Sequence, residues 1–123
     1  MSEHVHPGLV EHAWIDKAFH ALFEAFEHAG PSEVSASFYA LADLLRAHLG
    51  GEDLDIAKFA DVDAEEAKAL LEEHADFRTT LDALADHATA GTLSKAELHA
   101  LKLRVSLHEA REETGLYRWV KSR

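Results

Sequence analysis

Two prolines and six glycines are the only strong helix breakers in the chain, and their positions leave room for long helices and little else. Gly30-Pro31 ends one helical stretch and opens the next, because proline is at home in a first turn and nowhere further in. Asp63-Ala-Glu-Glu66 and Ser94-Lys-Ala-Glu97 have the form of capping boxes, with Gly91 as the stop between the helices they open. Between these marks apolar residues recur in alternating steps of three and four, the seam of a helix packed among other helices. The seams read Gly8, His12, Ile15, Phe19, Leu22, Phe26, Ala29; then Phe38, Leu41, Leu45, His48, Glu52; then Ala67, Leu70, His74, Phe77, Leu81, Leu84, Ala88; and finally Leu98, Leu101, Val105, His108, Glu112, Gly115, Trp119. The pattern predicts an all-α fold, an antiparallel up-down-up-down four-helix bundle, with helices over roughly 9–29, 33–50, 64–89 and 95–119. At 123 residues the expectation is a single domain over 1–123. The Asp-rich stretch 53–62 is expected to cross from the second helix to the third.

Six residues interrupt those seams with ionisable groups, and they do so in a doubled spacing. A lone His is followed about thirty-five residues later by His-x-x-x-Glu: His12, His48 and Glu52, then His74, His108 and Glu112. Burying such groups without partners costs several kcal/mol, roughly 2–7 for a neutral polar group and more for a charge, so something must compensate them. The remaining histidines off the seam, His20, His28, His87 and His99, can be solvated, and His4 and His6 lie near the start. Height gives an independent test. His12 and His48 each lie eighteen residues from Gly30, and His74 and His108 each lie seventeen from Gly91. At 1.5 Å per residue all four reach the same level, roughly 26 Å from the turns. His-x-x-x-Glu puts its two side chains one turn apart on one face. Imidazole nitrogens and carboxylate oxygens on four segments suit a transition metal, and the doubling points to two ions with Glu52 and Glu112 bridging them.

Composition narrows the chemistry further. A formal net charge of −11 repels phosphate backbones and anionic lipid, so neither nucleic acid nor a membrane is an expected partner. With no cysteine, disulfides, thiolate sites and thiol nucleophiles are excluded, and any metal must sit on nitrogen and oxygen. Met1 to Gly8 shows neither a basic flank nor an apolar run, and no stretch is apolar enough for a membrane span. The expected location is cytoplasmic.

With those residues in view, the chain resembles the hemerythrin-like, or HHE cation-binding, domain family. The matching stretches are Glu11-His-Ala-Trp-Ile-Asp16, Leu45-Arg-Ala-His-Leu-Gly-Gly-Glu-Asp53, Glu73-His-Ala-Asp-Phe-Arg78 and Leu107-His-Glu-Ala-Arg-Glu-Glu-Thr-Gly-Leu-Tyr117. The resemblance implies a non-haem di-iron centre with two bridging carboxylates and an oxo or hydroxo bridge. Its metal ligands by matching position are His12, His48, Glu52, His74, His108 and Glu112. It further implies binding of O2, another diatomic or peroxide, in storage, sensing or protection. Two positions depart from the family pattern. O2-carrying hemerythrins have a second His one turn after that of the third helix, where this chain has Arg78. Asp16 and Tyr117 are candidates for a replacement ligand, beside their ordinary readings as a solvated carboxylate and a packed ring. Gly50-Gly51 inside the first His-x-x-x-Glu either ends the second helix before Glu52 or opens a path to the metals.

The leading functional expectation is therefore a protein that binds O2 or a related small ligand, walled by Ile15, Phe19, Leu45, Phe77 and Val105. The alternative is a di-iron oxidase, oxygenase or peroxidase acting on a small substrate, with Tyr117 or Trp119 relaying an electron. A third is a scaffold holding zinc or another ion structurally; it would need an exposed apolar stripe for a partner, and no strong one is visible, Trp14 being the main candidate, with Leu54 and Phe59 in the crossing segment.

Overall fold

Pro31 stands at the first turn of a helix whose preceding residue, Gly30, has its backbone N–H bound by the Glu33 carboxylate at 3.2 Å. Similar local chemistry sets the other boundaries. Asp63 accepts from Glu66 N–H at 3.0 Å, and Ser94 and Glu97 cap each other reciprocally. Gly91 closes the preceding helix in the left-handed region at φ 75°, a backbone conformation that glycine adopts without strain. The Asp63 cap is half of the expected box, because the Glu66 side chain turns instead to the Arg111 guanidinium, at 2.6 and 2.8 Å.

The computed structural model describes residues 7–121, so His4 and His6 lie outside the described residues. The helices are α1 (Pro7–His28), α2 (Pro31–Phe59), α3 (Ala64–Ala90), α4 (Lys95–Thr114) and α5 (Leu116–Lys121). Among the described residues there is no strand, and no helix is long and apolar enough to cross a membrane. Cross-helix pairs run in opposite chain directions at each junction, as an up-down-up-down bundle requires. His48 meets Glu11 while Val34 and Phe26 pack on the same core. Asp53 meets Arg78 while Arg46 meets Asp82. Glu73 meets Arg111 while Thr80 meets Arg104, and Asp16 meets Lys102 while Phe23 stacks on His99.

Two boundaries differ from the sequence expectation. α2 does not stop near residue 50. It runs through Gly50-Gly51 to Phe59, because Glu52, Ile56 and Phe59 continue its buried seam, and that apolar burial outweighs the roughly 1 kcal/mol each glycine costs. The crossing shrinks to the residues between Phe59 and Ala64. Conversely, the expected last helix is broken at Gly115, with φ −119° and ψ −86°, and restarts as α5.

The buried apolar side chains fall into two clusters. The larger contains Ile15, Phe19, Leu22, Phe38, Leu45, Phe77, Leu81, Leu98 and Val105 and occupies the bundle toward the Gly30 and Gly91 turns. The smaller, made of Ile56, Phe59, Ala67, Leu70, Leu116 and Tyr117, closes the opposite end. The level between them belongs to the six polar seam residues.

A Cβ added at Gly50 or Gly51 meets nothing within 4 Å. Gly50→Ala and Gly51→Ala should each stabilise the chain by about 0.5–1 kcal/mol, and Gly91→Ala should destabilise it by roughly 1–2 kcal/mol because of its positive φ. Urea denaturation checks the signs; destabilisation by both α2 substitutions would show that the helix is not continuous there.

Candidate metal centre

All six seam residues are buried: His12, His48, Glu52, His74, His108 and Glu112 are each 5% exposed or less. α1 contributes His12, α2 His48 and Glu52, α3 His74, and α4 His108 and Glu112. Their ligand atoms form two groups, His12, His48, Glu52, Glu112 and Glu52, His74, His108, Glu112, each with its atoms within 4.8 Å of one another. The two groups share both glutamates. Across the first, His12 Nε2 lies 3.1 Å from His48 Nε2; across the second, His74 Nε2 lies 3.2 Å from His108 Nε2.

The inward direction of Nε2 is enforced from outside. His48 Nδ1 is 2.7 Å from Glu11 Oε1, and His74 Nδ1 is 2.8 Å from Asp53 Oδ1. His108 Nδ1 is bonded to Glu73, and His12 Nδ1 faces Glu109 at 3.2 Å and Glu113 at 3.3 Å. A carboxylate can only accept, so each Nδ1 carries the donated proton, which fixes the tautomer and leaves Nε2 as an inward donor of electron pairs. The outer carboxylates are themselves anchored: Asp53 accepts from Arg78 at 2.6 Å, and Glu73 accepts from Arg111.

The interior of the cluster is therefore crowded with electron pairs. Glu52 Oε1 and both oxygens of Glu112 are buried without a hydrogen-bond partner, and they face imidazole nitrogens. Only protons or cations can satisfy such a set, and the residues fit a pair of cations bound by nitrogen and oxygen. In the metal-free cluster protons take that role. Burial disfavours charged imidazoles, yet the Glu52, Glu11 and Glu112 carboxylates hold His48 up at about 9. Glu112, Glu52 and Asp53 hold His74 at about 9, and Glu112, Glu52 and Glu73 hold His108 at about 10. His12 is raised by Glu112 and Glu109 against the same burial. Burial likewise opposes ionisation of Glu52, but the facing imidazoles of His108, His48 and His74 keep its carboxyl well below the usual range. Glu109, less well compensated, is pushed up by burial to about 7.

Other sequence expectations resolve residue by residue. His20 and His28 are exposed beside Glu24, His87 pairs with Glu97 and His99 stacks on Phe23, so none joins the cluster. Asp16 is exposed and paired with Lys102 at 3.1 Å, which leaves it outside the site. Tyr117 is inside: it donates to Glu52, and its hydroxyl lies 3.0 Å from His12 Nε2. Arg78 takes part indirectly, through Asp53 to His74. The five expected wall residues, Ile15, Phe19, Leu45, Phe77 and Val105, are buried in one cluster, whereas Phe59, a secondary candidate for a partner-binding surface, is buried at the closed end.

Sequence reasoning missed the outer carboxylates, although a signal existed. Each half reads Glu-His, His, then Glu followed by an acid: Glu11-His12, His48, Glu52-Asp53 and Glu73-His74, His108, Glu112-Glu113. In each half the acid preceding the first His serves the second His, and the acid following the bridging Glu serves the first His of the other half.

The family model described as Hemerythrin HHE cation binding domain matches residues 9–121. No curated protein and no solved structure shows significant similarity to the chain.

Removing an outer carboxylate while leaving the inner donors intact tests the tautomer argument. Glu11→Gln and Asp53→Asn are each expected to weaken metal binding about 10- to 100-fold, with Glu24→Gln unchanged, as read by competition with a chelator. Protons and cations compete for the same Nε2 atoms. The histidine contribution to metal-free stability is complete below 6.5 and is lost as pH rises through about 9. The Tm gain on adding metal should therefore grow across that interval; a gain that shrinks with pH would contradict the competition.

Proposed function

The chain belongs to the hemerythrin HHE cation binding domain family, and from that premise and the cluster geometry we propose a non-haem di-iron protein. It binds O2 or a related small ligand, in sensing, storage or protection. His12 and His48 hold one ion, His74 and His108 the other, and Glu52 and Glu112 bridge them. The observation that carries this reading is the sharing of both buried glutamates by two donor groups, with three of their four oxygens lacking a hydrogen bond.

A bound iron pair supplies two electrons to O2 and can take them back. The protein's own contribution is the setting. Outer carboxylates hold four imidazoles in one tautomer, so the donors need little reorganisation when ions bind. Ile15, Phe19, Leu45, Phe77 and Val105 keep the adjoining space apolar, and Ile56, Phe59 and Leu116 close the other side. Few protons can then reach the bound ligand, which favours its release unchanged over its reduction. The Arg78–Asp53 pair keeps His74 oriented without offering a donor of its own.

A second reading, oxidation of a small substrate by the same centre, is favoured by one feature. A cleft of about 400 Å³ between α3 and α4 is lined by Glu73, Phe77, Arg104, Leu107, His108 and Arg111, so one ligand histidine adjoins a space larger than a diatomic needs.

His74→Ala should lose iron and His87→Ala should retain it; equal retention would break the assignment. Anaerobically reduced protein exposed to air should develop an absorption band that disappears when O2 is removed. A band that decays irreversibly, faster with an added reductant substrate, would favour oxidation instead.

A further inference from the structure

The six seam donors repeat with an approximate two-fold pattern, and Tyr117 breaks it. Five residues after Glu112 comes Tyr117, which is buried; five residues after Glu52 comes Ala57, which is exposed. Tyr117 reaches the interior only because of Gly115. On an uninterrupted α4, five residues beyond Glu112 would lie roughly 140° around the helix, facing away from the site. The break at Gly115 and the restart as α5 turn the ring inward, where it stacks on His12 with centroids 5.4 Å apart.

Its hydroxyl sits where a ligand atom would. The oxygen is 3.0 Å from His12 Nε2 and 3.3 Å from His48 Nε2, and it donates to Glu52 Oε2. The latter two atoms are 3.1 Å from each other, and the two Nε2 atoms are also 3.1 Å apart. Two donors about 2.1 Å from one ion and at right angles around it lie about 3 Å apart, which is the spacing around this corner. A tyrosine that only packed would need one hydrogen-bond partner, whereas this oxygen is shared among three inward-facing donor atoms.

Resting on the metal assignment above, we propose that Tyr117 is a seventh protein ligand, a phenolate on the ion held by His12 and His48. In its formation the phenol O–H bond breaks, the proton leaves to bulk solvent with those displaced from the histidines, and an oxygen electron pair goes to the cation. No electron is transferred.

The two ions then differ. One has His12, His48, Tyr117, Glu52 and Glu112; the other has His74, His108 and the shared glutamates, with Arg78 drawn off to Asp53. The exogenous ligand accordingly binds the His74–His108 ion, on the side of the α3–α4 cleft that His108 lines.

Ferric protein should show a visible tyrosinate-to-iron charge-transfer band and resonance Raman ring modes that shift when tyrosine is ring-deuterated. The only other tyrosine, Tyr39, is bound to Ala85 and Thr89, far along the bundle, so those modes report Tyr117. Tyr117→Phe should abolish the band while keeping two irons; if the variant does not fold, the labelled wild-type protein decides alone. Two ferric ions without tyrosinate modes would overturn this inference and leave the di-iron reading standing, whereas absence of bound iron would overturn both.

Discussion

Each imidazole of the cluster is held between carboxylates, outside on Nδ1 and inside facing Nε2. That arrangement makes the interior a field of electron pairs with no donor to spare, and several features of the fold serve it. Four helices are needed to bring four histidines to one level. Equal distances from the Gly30 and Gly91 turns set that level. Arg78 and Arg111 on the outside hold Asp53 and Glu73 in position, so the surface ion pairs act through the histidines rather than through their own modest stabilisation.

The apolar residues matter as much for where they are absent. Two clusters sandwich the polar level, and the smaller depends on the last turns of α2 and on α5. Without Ile56, Phe59 and Leu116 the glutamate oxygens would face water, the competing hydrogen bonds would be made, and the demand for a cation would fall. Burial and affinity are thus one property of the same side chains.

Most of the bundle and all six inner donors were legible because both rest on periodicity: a seam at three-four spacing announces a buried face, and an ionisable residue on it announces a partner. Local propensity at Gly50-Gly51 ends the second helix too early, whereas tertiary burial of Glu52, Ile56 and Phe59 decides the outcome. At Gly115 the balance is the opposite: Trp119 fits the seam by spacing, which carries the last helix past a glycine where the structure breaks it. From spacing alone Tyr117 is therefore only an alternative ligand. The outer acids were hidden because they serve histidines on other helices, a relation that spacing along one helix does not carry.

The central claim is that this cluster is built for two ions sharing Glu52 and Glu112. Anaerobic titration of the metal-free protein with Fe(II), counting bound metal per chain after removal of free ion, tests it most directly. Saturation at two ions per chain is expected from the two overlapping donor groups. Saturation at one, or no binding, would contradict it.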